Sequence, residues 1–280
     1  MATKMKSGLK NIVVAVKQVP DTNQVKIDPE TGTLIREGVP FIVNPFDTHA
    51  LEAGLQVKDR FGGQVIAISM GPPNTVMTLR KCLALGADQA ILVSDRLFGG
   101  ADTLATSYVL TEAIKKIEQE NGRIDLIICG KQTIDGDTAQ VGPGLATRLG
   151  FAQLTLVDQI IDLSPGSHTL TVRRKLEGRK EIVQAKLPAL LTMVREANHP
   201  RYPTVPARLG AEEAELQVWN NDFLKLSPER IGLRGSPTNV KRIFAPERKM
   251  GEILGDGEKD PQGTVQLLIQ KLIERDLLSL

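Results

Sequence analysis

Four short runs rich in β-branched residues, Asn11–Val16, Gln64–Ser69, Ala90–Ser94 and Asp125–Cys129, alternate with segments of helical period. That alternation is the pattern of a mostly parallel sheet covered by helices on both faces. Between the runs, the spacing predicts a helix over Asp47–Phe61, with Leu51, Leu55 and Lys58 in phase and Gly62 as a stop. A second covers Asn74–Leu85, with Val76, Leu79 and Leu83 ahead of Gly86, and a third covers Thr103–Glu118. The expected class is therefore α/β, Rossmann-like in layout.

Three departures interrupt the alternation. Val25–Ile27 and Thr33–Ile35 flank the turn cluster from Asp28 to Gly32 and predict a β-hairpin inserted after the first strand. After residue 150, Leu154–Leu163, His168–Lys175, Glu181–Ala185 and Ala189–Val194 are strand-like and are expected to be an antiparallel excursion. From about Ala207 the chain is loop-rich, with turn residues Gly232, Gly235, Ser236 and Pro237 and a charged stretch from Glu247 to Gly263. It then reaches a predicted helix, Thr264–Leu277, whose Val265, Leu268, Leu272 and Ile273 form an apolar stripe. The domain expectation is an α/β domain over 1–206 and a C-terminal arm over 207–280 that contacts a partner subunit.

Bulk properties exclude several classes. With 280 residues, 41% of them apolar, the chain is long enough to bury a large core. A net charge of +2 gives neither a nucleic-acid footprint nor a polybasic membrane anchor, so a small ligand or a protein partner is expected. Lysines precede the first apolar run, but Asn11–Val16 is too short for a signal peptide and Lys17 interrupts it. No stretch approaches the roughly 20 apolar residues of a membrane span. The two cysteines, Cys82 and Cys129, form no C-x-x-C pair, which is too few ligands for a disulfide scaffold, a zinc knuckle or an iron–sulfur cluster. Two free thiols fit a reducing cytoplasm, and any redox chemistry would use an organic cofactor. His49, His168 and His199 stand apart from any metal-ligand spacing, and no nucleophile–base pair occurs, so neither a metal nor a catalytic residue is expected.

The segment from Cys129 to Gly144 follows a buried-looking strand and precedes a helix, at the sheet edge where open α/β folds bind ligands. Gly130, Gly136, Gly142 and Gly144 permit positive φ or close backbone approach, and the next helix start offers unpaired N–H groups to a phosphate. Asp137 and Gln140 have the spacing of a capping box. Pro143 leaves open whether that helix begins at Thr138 or later. Neither a G-x-G-x-x-G fingerprint nor a P-loop occurs. A second loop, Asn44-Pro45-Phe46-Asp47, places Asp47 to N-cap a helix, while Asn44, held extended before proline, has an amide that could meet a base or ribose. Met70 and Gly71, ending another strand at the same edge, could line an adenine slot or make a turn.

Taken in order, Ala15 to Asp21, Asn44 to Asp47, Met70 to Pro72, Ala84 to Asp88, Gly130 to Gln140 and Asn198-His199-Pro200-Arg201-Tyr202 resemble electron-transfer flavoprotein β subunits over roughly residues 10–240. In ordinary members of that family the β subunit binds AMP. The matching positions here are Ala15, Asn44, Pro45, Phe46, Asp47, Met70, Gly130, Lys131, Gln132, Thr133, Ile134, Asp135, Gly136, Asp137, Thr138, Ala139, Gln140 and Val141. Gly38 to Pro45, Gly99 to Ser107 and Gly136 to Pro143 look like the electron-bifurcating subgroup, which includes nitrogen-fixation-associated members and whose site holds the ADP part of a second FAD. Ordinary members usually carry Cys where Asp47 stands and lack the string from Asp102 to Ser107. Local physics alone would make Asp102 and Thr103 another helix cap.

The resemblance implies a heterodimer with an α subunit that carries its own FAD. The flavin on this chain would accept a hydride from NADH and send electrons to a low-potential acceptor such as ferredoxin and to a higher-potential quinone-linked acceptor. Gly136, Thr138, Gln140 and Val141 would hold the pyrophosphate, with Asn44, Met70 and Ala15 around the adenosine. Where ordinary members present a leucine to dehydrogenases, this chain has Arg195 beside Glu196, implying a different redox partner. The expected location is cytoplasmic, with any membrane association made through partner subunits. Two other readings stay open: an ordinary subunit with structural AMP, and a stand-alone nucleotide-binding regulator of the stress-protein type.

Overall fold

A computed structural model describes residues 8–21, 26–27, 34–35, 40–239 and 251–278. The chain begins with β1 (Asn11–Ala15), β2 (Gln18–Pro20), β3 (Lys26–Ile27), β4 (Leu34–Ile35) and β5 (Phe41–Val43). It continues through α1 (Pro45–Phe61), β6 (Gln64–Met70), α2 (Val76–Leu85), β7 (Gln89–Val93), α3 (Thr103–Asn121), β8 (Ile124–Gly130) and α4 (Val141–Leu149). Next come β9 (Ala152–Ser164), β10 (Thr169–Leu176), β11 (Arg179–Lys186), β12 (Ala189–Met193), α5 (Val205–Glu213), β13 (Gln217–Trp219), α6 (Asn221–Leu224) and α7 (Pro261–Glu274).

Nine strands make one sheet in the order β11-β10-β9-β12-β8-β1-β6-β7-β13. Every neighbouring pair from β9 to β13 along that order is parallel, while β9–β10 and β10–β11 are antiparallel. The mostly parallel α/β expectation is met. Of the excursion expected after residue 150, only three strands are antiparallel to a neighbour. β12 runs parallel to both β8 and β9, because it sits between them and the chain re-enters the sheet in their direction. β3 pairs antiparallel with β4, as the predicted hairpin requires. Its turn, residues 28–33, lies outside the described residues, as do 38–39 of the Gly38 to Pro45 string and 247–250 of the charged stretch.

Side-chain alternation along the strands explains the two-sided packing. Ile12, Val14, Val65, Ala67 and Leu126 face α1 and α2, meeting Leu51, Leu55 and Leu79. Val13, Ile66, Ile68 and Ile127 face α3 and α4, meeting Val109, Ile114 and Leu145. Pro45 opens α1 at a position that needs no N–H, and Gly62 closes it at φ 75, conformations for which those two residue types are suited.

The break expected after residue 206 falls later. The described residues up to 239 belong to one compact unit and those from 251 onward to another. Residues 205–226 are not a loose arm: β13 adds to β7 as an edge strand, and Trp219 and Leu226 are buried in the α3–α4 core. In the second unit, α7 begins earlier than expected, at Pro261, with Asp260 accepting the Gly263 N–H at 2.9 Å. None of its residues is buried.

Candidate functional site

β1 is followed through α1 by β6 and then β7 on one side, whereas β8 lies on its other side. The carboxyl ends of β1 and β8 therefore flank the point where strand order reverses, where open α/β sheets leave a ligand crevice. Ala15 ends β1, Gly130 ends β8, and the start of α1, the loop 131–140 and the start of α4 converge there.

Asp47 does not N-cap α1. It lies in the first turn, buried, and its two carboxylate oxygens reach across the crevice. The backbone N–H of Lys17 donates to Oδ2 at 2.7 Å and that of Gly130 donates to Oδ1 at 3.0 Å. One side chain thus ties the ends of β1 and β8 together. Burial pushes its carboxyl up to about 7, although the N–H donors of Lys17 and Gly130, Asn44 and the Lys17 charge all act in the opposite direction.

Asn44 is the N-cap residue but makes no capping bond with its side chain. Its Nδ2 donates to the carbonyl of Gln132 at 2.9 Å, and its Oδ1 accepts the N–H of Ile134 at 3.2 Å. Fully buried, the amide expected to meet a base or ribose is occupied by the loop instead. Gly130 permits this closeness: a Cβ there would lie 2.4 Å from Asp47 Oδ1 and 2.6 Å from Phe46 Cβ.

The loop from Asp135 to Gln140 is exposed throughout. Asp137 and Ala139 adopt left-handed backbone at φ 54 and φ 56, which is costly for residues with a Cβ. α4 begins at Val141 and not at Thr138, so Pro143 falls in the first turn, where proline is tolerated. The capping box expected of Asp137 and Gln140 is absent. Gln140 is the N-cap residue, but no side chain caps the helix and no acid stands in its first turn. The Asp137 carboxylate instead accepts from Gln132 Nε2, and Gln140 Oε1 accepts from the Thr103 hydroxyl at 2.7 Å. Asp135 is paired with Lys17 Nζ at 2.7 Å, and this pairing outweighs burial to hold its carboxyl below the usual range.

Of the two roles open to the four glycines of this segment, positive φ or close approach, none takes the first, and Gly130, Gly142 and Gly144 take the second. Gly142 and Gly144 serve close packing against protein: an added Cβ would meet Thr192 and Cys129 at 2.8 and 2.9 Å, or Ser107 at 2.9 Å. The exposed groups are the loop backbone from Asp135 to Gln140, and α4 begins directly behind it with no side-chain cap on its first turn. With both loop acids engaged by neighbours, this donor set fits a phosphate or diphosphate.

The start of α3 is closed by contrast. Asp102 Oδ1 accepts the N–H groups of Leu104 and Ala105, both at 3.0 Å, and Oδ2 accepts the N–H and hydroxyl of Thr238 at 3.1 and 2.9 Å. Partial burial acts against ionisation here, but those four bonds prevail and hold the carboxyl below its ordinary value. The cap that local physics favours is the one present.

At the end of β6, partly buried Met70 stands beside a feature that the sequence reading missed. Among the described residues, Ser69 Oγ, Thr75 Oγ1 and Gln18 Oε1 are buried side-chain atoms without a hydrogen-bond partner. Two hydroxyls, of Ser69 in β6 and Thr75 after it, and one amide oxygen, of Gln18 in β2, are costly to bury unless a further polar group meets them. The detectable signal was polar residues directly at strand ends. Arg195 and Glu196, in the turn after β12, are exposed; the Arg195 guanidinium lies 4.7 Å from the Phe46 ring centre, Lys131 Nζ lies 5.1 Å from it, and Glu196 pairs with Lys175.

A mostly parallel α/β sheet with a crevice at its switch point places this chain in the class of open α/β proteins, whose ligands sit beyond the carboxyl ends of the strands. Residues 31–224 match the electron transfer flavoprotein domain. The chain is 46% identical over 263 residues to Protein FixA of Azotobacter vinelandii, covering 93% of each chain. It is 47% identical over 270 residues to the caffeyl-CoA reductase-Etf complex subunit CarD of Acetobacterium woodii, covering 95% of this chain and 99% of that one. It is 46% identical over 265 residues to the electron transfer flavoprotein subunit beta of Clostridium acetobutylicum, covering 94% and 98%. The chain belongs to the electron-transfer flavoprotein family, as a β-type subunit. No helix among the described residues is long and apolar enough to cross a membrane.

Proposed function

We propose that this chain is the nucleotide-binding half of a heterodimer with an FAD-carrying α subunit, and that its crevice holds the ADP part of a second FAD in an electron-bifurcating complex. The observation that carries the reading is the uncapped start of α4, set behind an exposed loop at the switch point between β1 and β8. Gly136, Thr138, Gln140 and Val141 would contact the diphosphate through backbone N–H groups and the Gln140 amide. Ala15, Met70 and the backbone of Asn44 to Asp47 would wall the adenosine. Lys131, Gln132, Thr133, Ile134, Asp135, Asp137 and Ala139 shape the loop between them.

When bound, the flavin supplies hydride acceptance from NADH and electron transfer to a low-potential acceptor such as ferredoxin and to a quinone-linked one. The chain's own residues bind and orient; none is placed as a general acid or base. The name of CarD puts that relative in an Etf complex with a reductase, which supports assembly with further redox subunits here. The uncovered apolar residues of α7 support an arm that docks on the α subunit. Arg195, held over Phe46 at the crevice rim, and Glu196 would meet a redox partner unlike a dehydrogenase that takes an apolar anchor.

Counting flavins and identifying released nucleotides by mass spectrometry on the purified heterodimer tests the reading. Two FAD per heterodimer is the expected result. One FAD with one AMP replaces it with the ordinary subunit, and a colourless ATP-binding homodimer replaces it with a regulator.

A further inference from the structure

We propose that Asp47 is a positioning residue that makes nucleotide affinity depend on pH: its ionised carboxylate fixes the ends of β1 and β8 for the ligand, and protonation loosens one of them. The inference rests on the nucleotide-binding reading above. Its basis is geometric. Each carboxylate oxygen accepts one backbone N–H, from Lys17 and from Gly130. A neutral carboxyl carries a hydrogen on one oxygen, which then accepts far more weakly than a carboxylate oxygen does.

The staple extends into the loop that would face the phosphates. Gly130 opens that loop, and the Asp47 N–H donates to the carbonyl of Asn44, whose amide grips the backbone of Gln132 and Ile134. The first turn of α1 therefore holds the loop at residues 130, 132 and 134. Lys17, at the other end of the staple, holds it again through Asp135.

The other titratable groups facing Asp47 leave it as the one that changes charge near neutrality. The thiols of Cys82 on α2 and Cys129 on β8 are both pushed up by burial, Cys82 to about 12, so they stay neutral. The Lys17 ammonium is paired with Asp135. Asp47 itself is pushed up by burial to about 7.

Two measurements on the full-length chain test this. Without nucleotide, the backbone amide resonances of Lys17 and Gly130 are expected to titrate together with a midpoint near 7; amides that do not move between pH 6 and 8 overturn the proposal. Calorimetric titration with AMP and with ADP is expected to give affinities about tenfold weaker at pH 6 than at pH 8, the worth of one charge-assisted hydrogen bond, with Asp47→Asn removing the difference. Equal affinity at both pH values overturns the proposal while leaving the nucleotide reading intact. Failure of either nucleotide to bind at any pH overturns both. If Asp47→Asn does not fold, the wild-type resonance and affinity profiles decide alone.

Discussion

α3 and α4 start at the same sheet edge, joined by the bond from Thr103 to Gln140, yet their first turns are opposites. α3 is closed by Asp102, which accepts from two of its N–H groups and from Thr238. α4 has neither a side-chain cap nor an acid in its first turn. A capped helix start has satisfied its donors and placed a negative charge where an anion would sit, so it is spent on stability. An uncapped one has kept its donors for something else. Under the proposed function, that difference makes the start of α4 the ligand end of the crevice.

The largest expected break comes from the strand end leading to the open helix. Gly130→Ala places a Cβ against Asp47 and Phe46, including the Phe46 backbone, and should cost about 3 kcal/mol or more in chemical denaturation. Gly136→Ala, where a Cβ meets only Thr133 Oγ1 at 3.3 Å, should cost less than about 0.5 kcal/mol.

Next in size is a pH effect. Because the folded carboxyl of Asp47 titrates near 7, above its ordinary value, the stability it contributes is full below the unfolded range near pH 4 and is lost as pH rises through 7. The loss should be on the order of 2 kcal/mol and should vanish in Asp47→Asn. Charge on Asp47 costs the fold while ordering the crevice.

Asp102→Ala should cost about 1–2 kcal/mol by removing the α3 cap, with nucleotide affinity changed less than about twofold. Gln140→Ala should reverse the pattern, leaving stability within about 0.5 kcal/mol and weakening nucleotide binding about tenfold. Denaturation curves and calorimetry on both variants check the pair; an Asp102 variant that loses nucleotide binding would erase the distinction.

Much of the parallel half was legible in sequence, because β-branched runs and helical spacing are local properties. β1, β6, β7, β8 and α1 to α3 fall where their patterns predict, within a few residues at the ends. Strand direction is not local: nothing within Ala189–Met193 encodes that β12 joins parallel neighbours. Gln217–Trp219 is too short to show alternation, so a strand that buries Trp219 passed for loop. The role of Asp47 was hidden for a related reason. Its spacing suited a cap, but its partners lie 30 and 83 residues away and become neighbours only through the sheet. Asp137 and Gln140 matched a capping box by spacing, yet left-handed backbone at Asp137 and Ala139 turns the loop so that the pair cannot close it.

Amide hydrogen exchange of the full-length chain, with and without ADP, tests the central claim most directly. The account predicts that ADP protects the amides from Gly136 to Gly142 and leaves Leu104 and Ala105 unchanged. Protection at Leu104 and Ala105 with none at the start of α4 would contradict it.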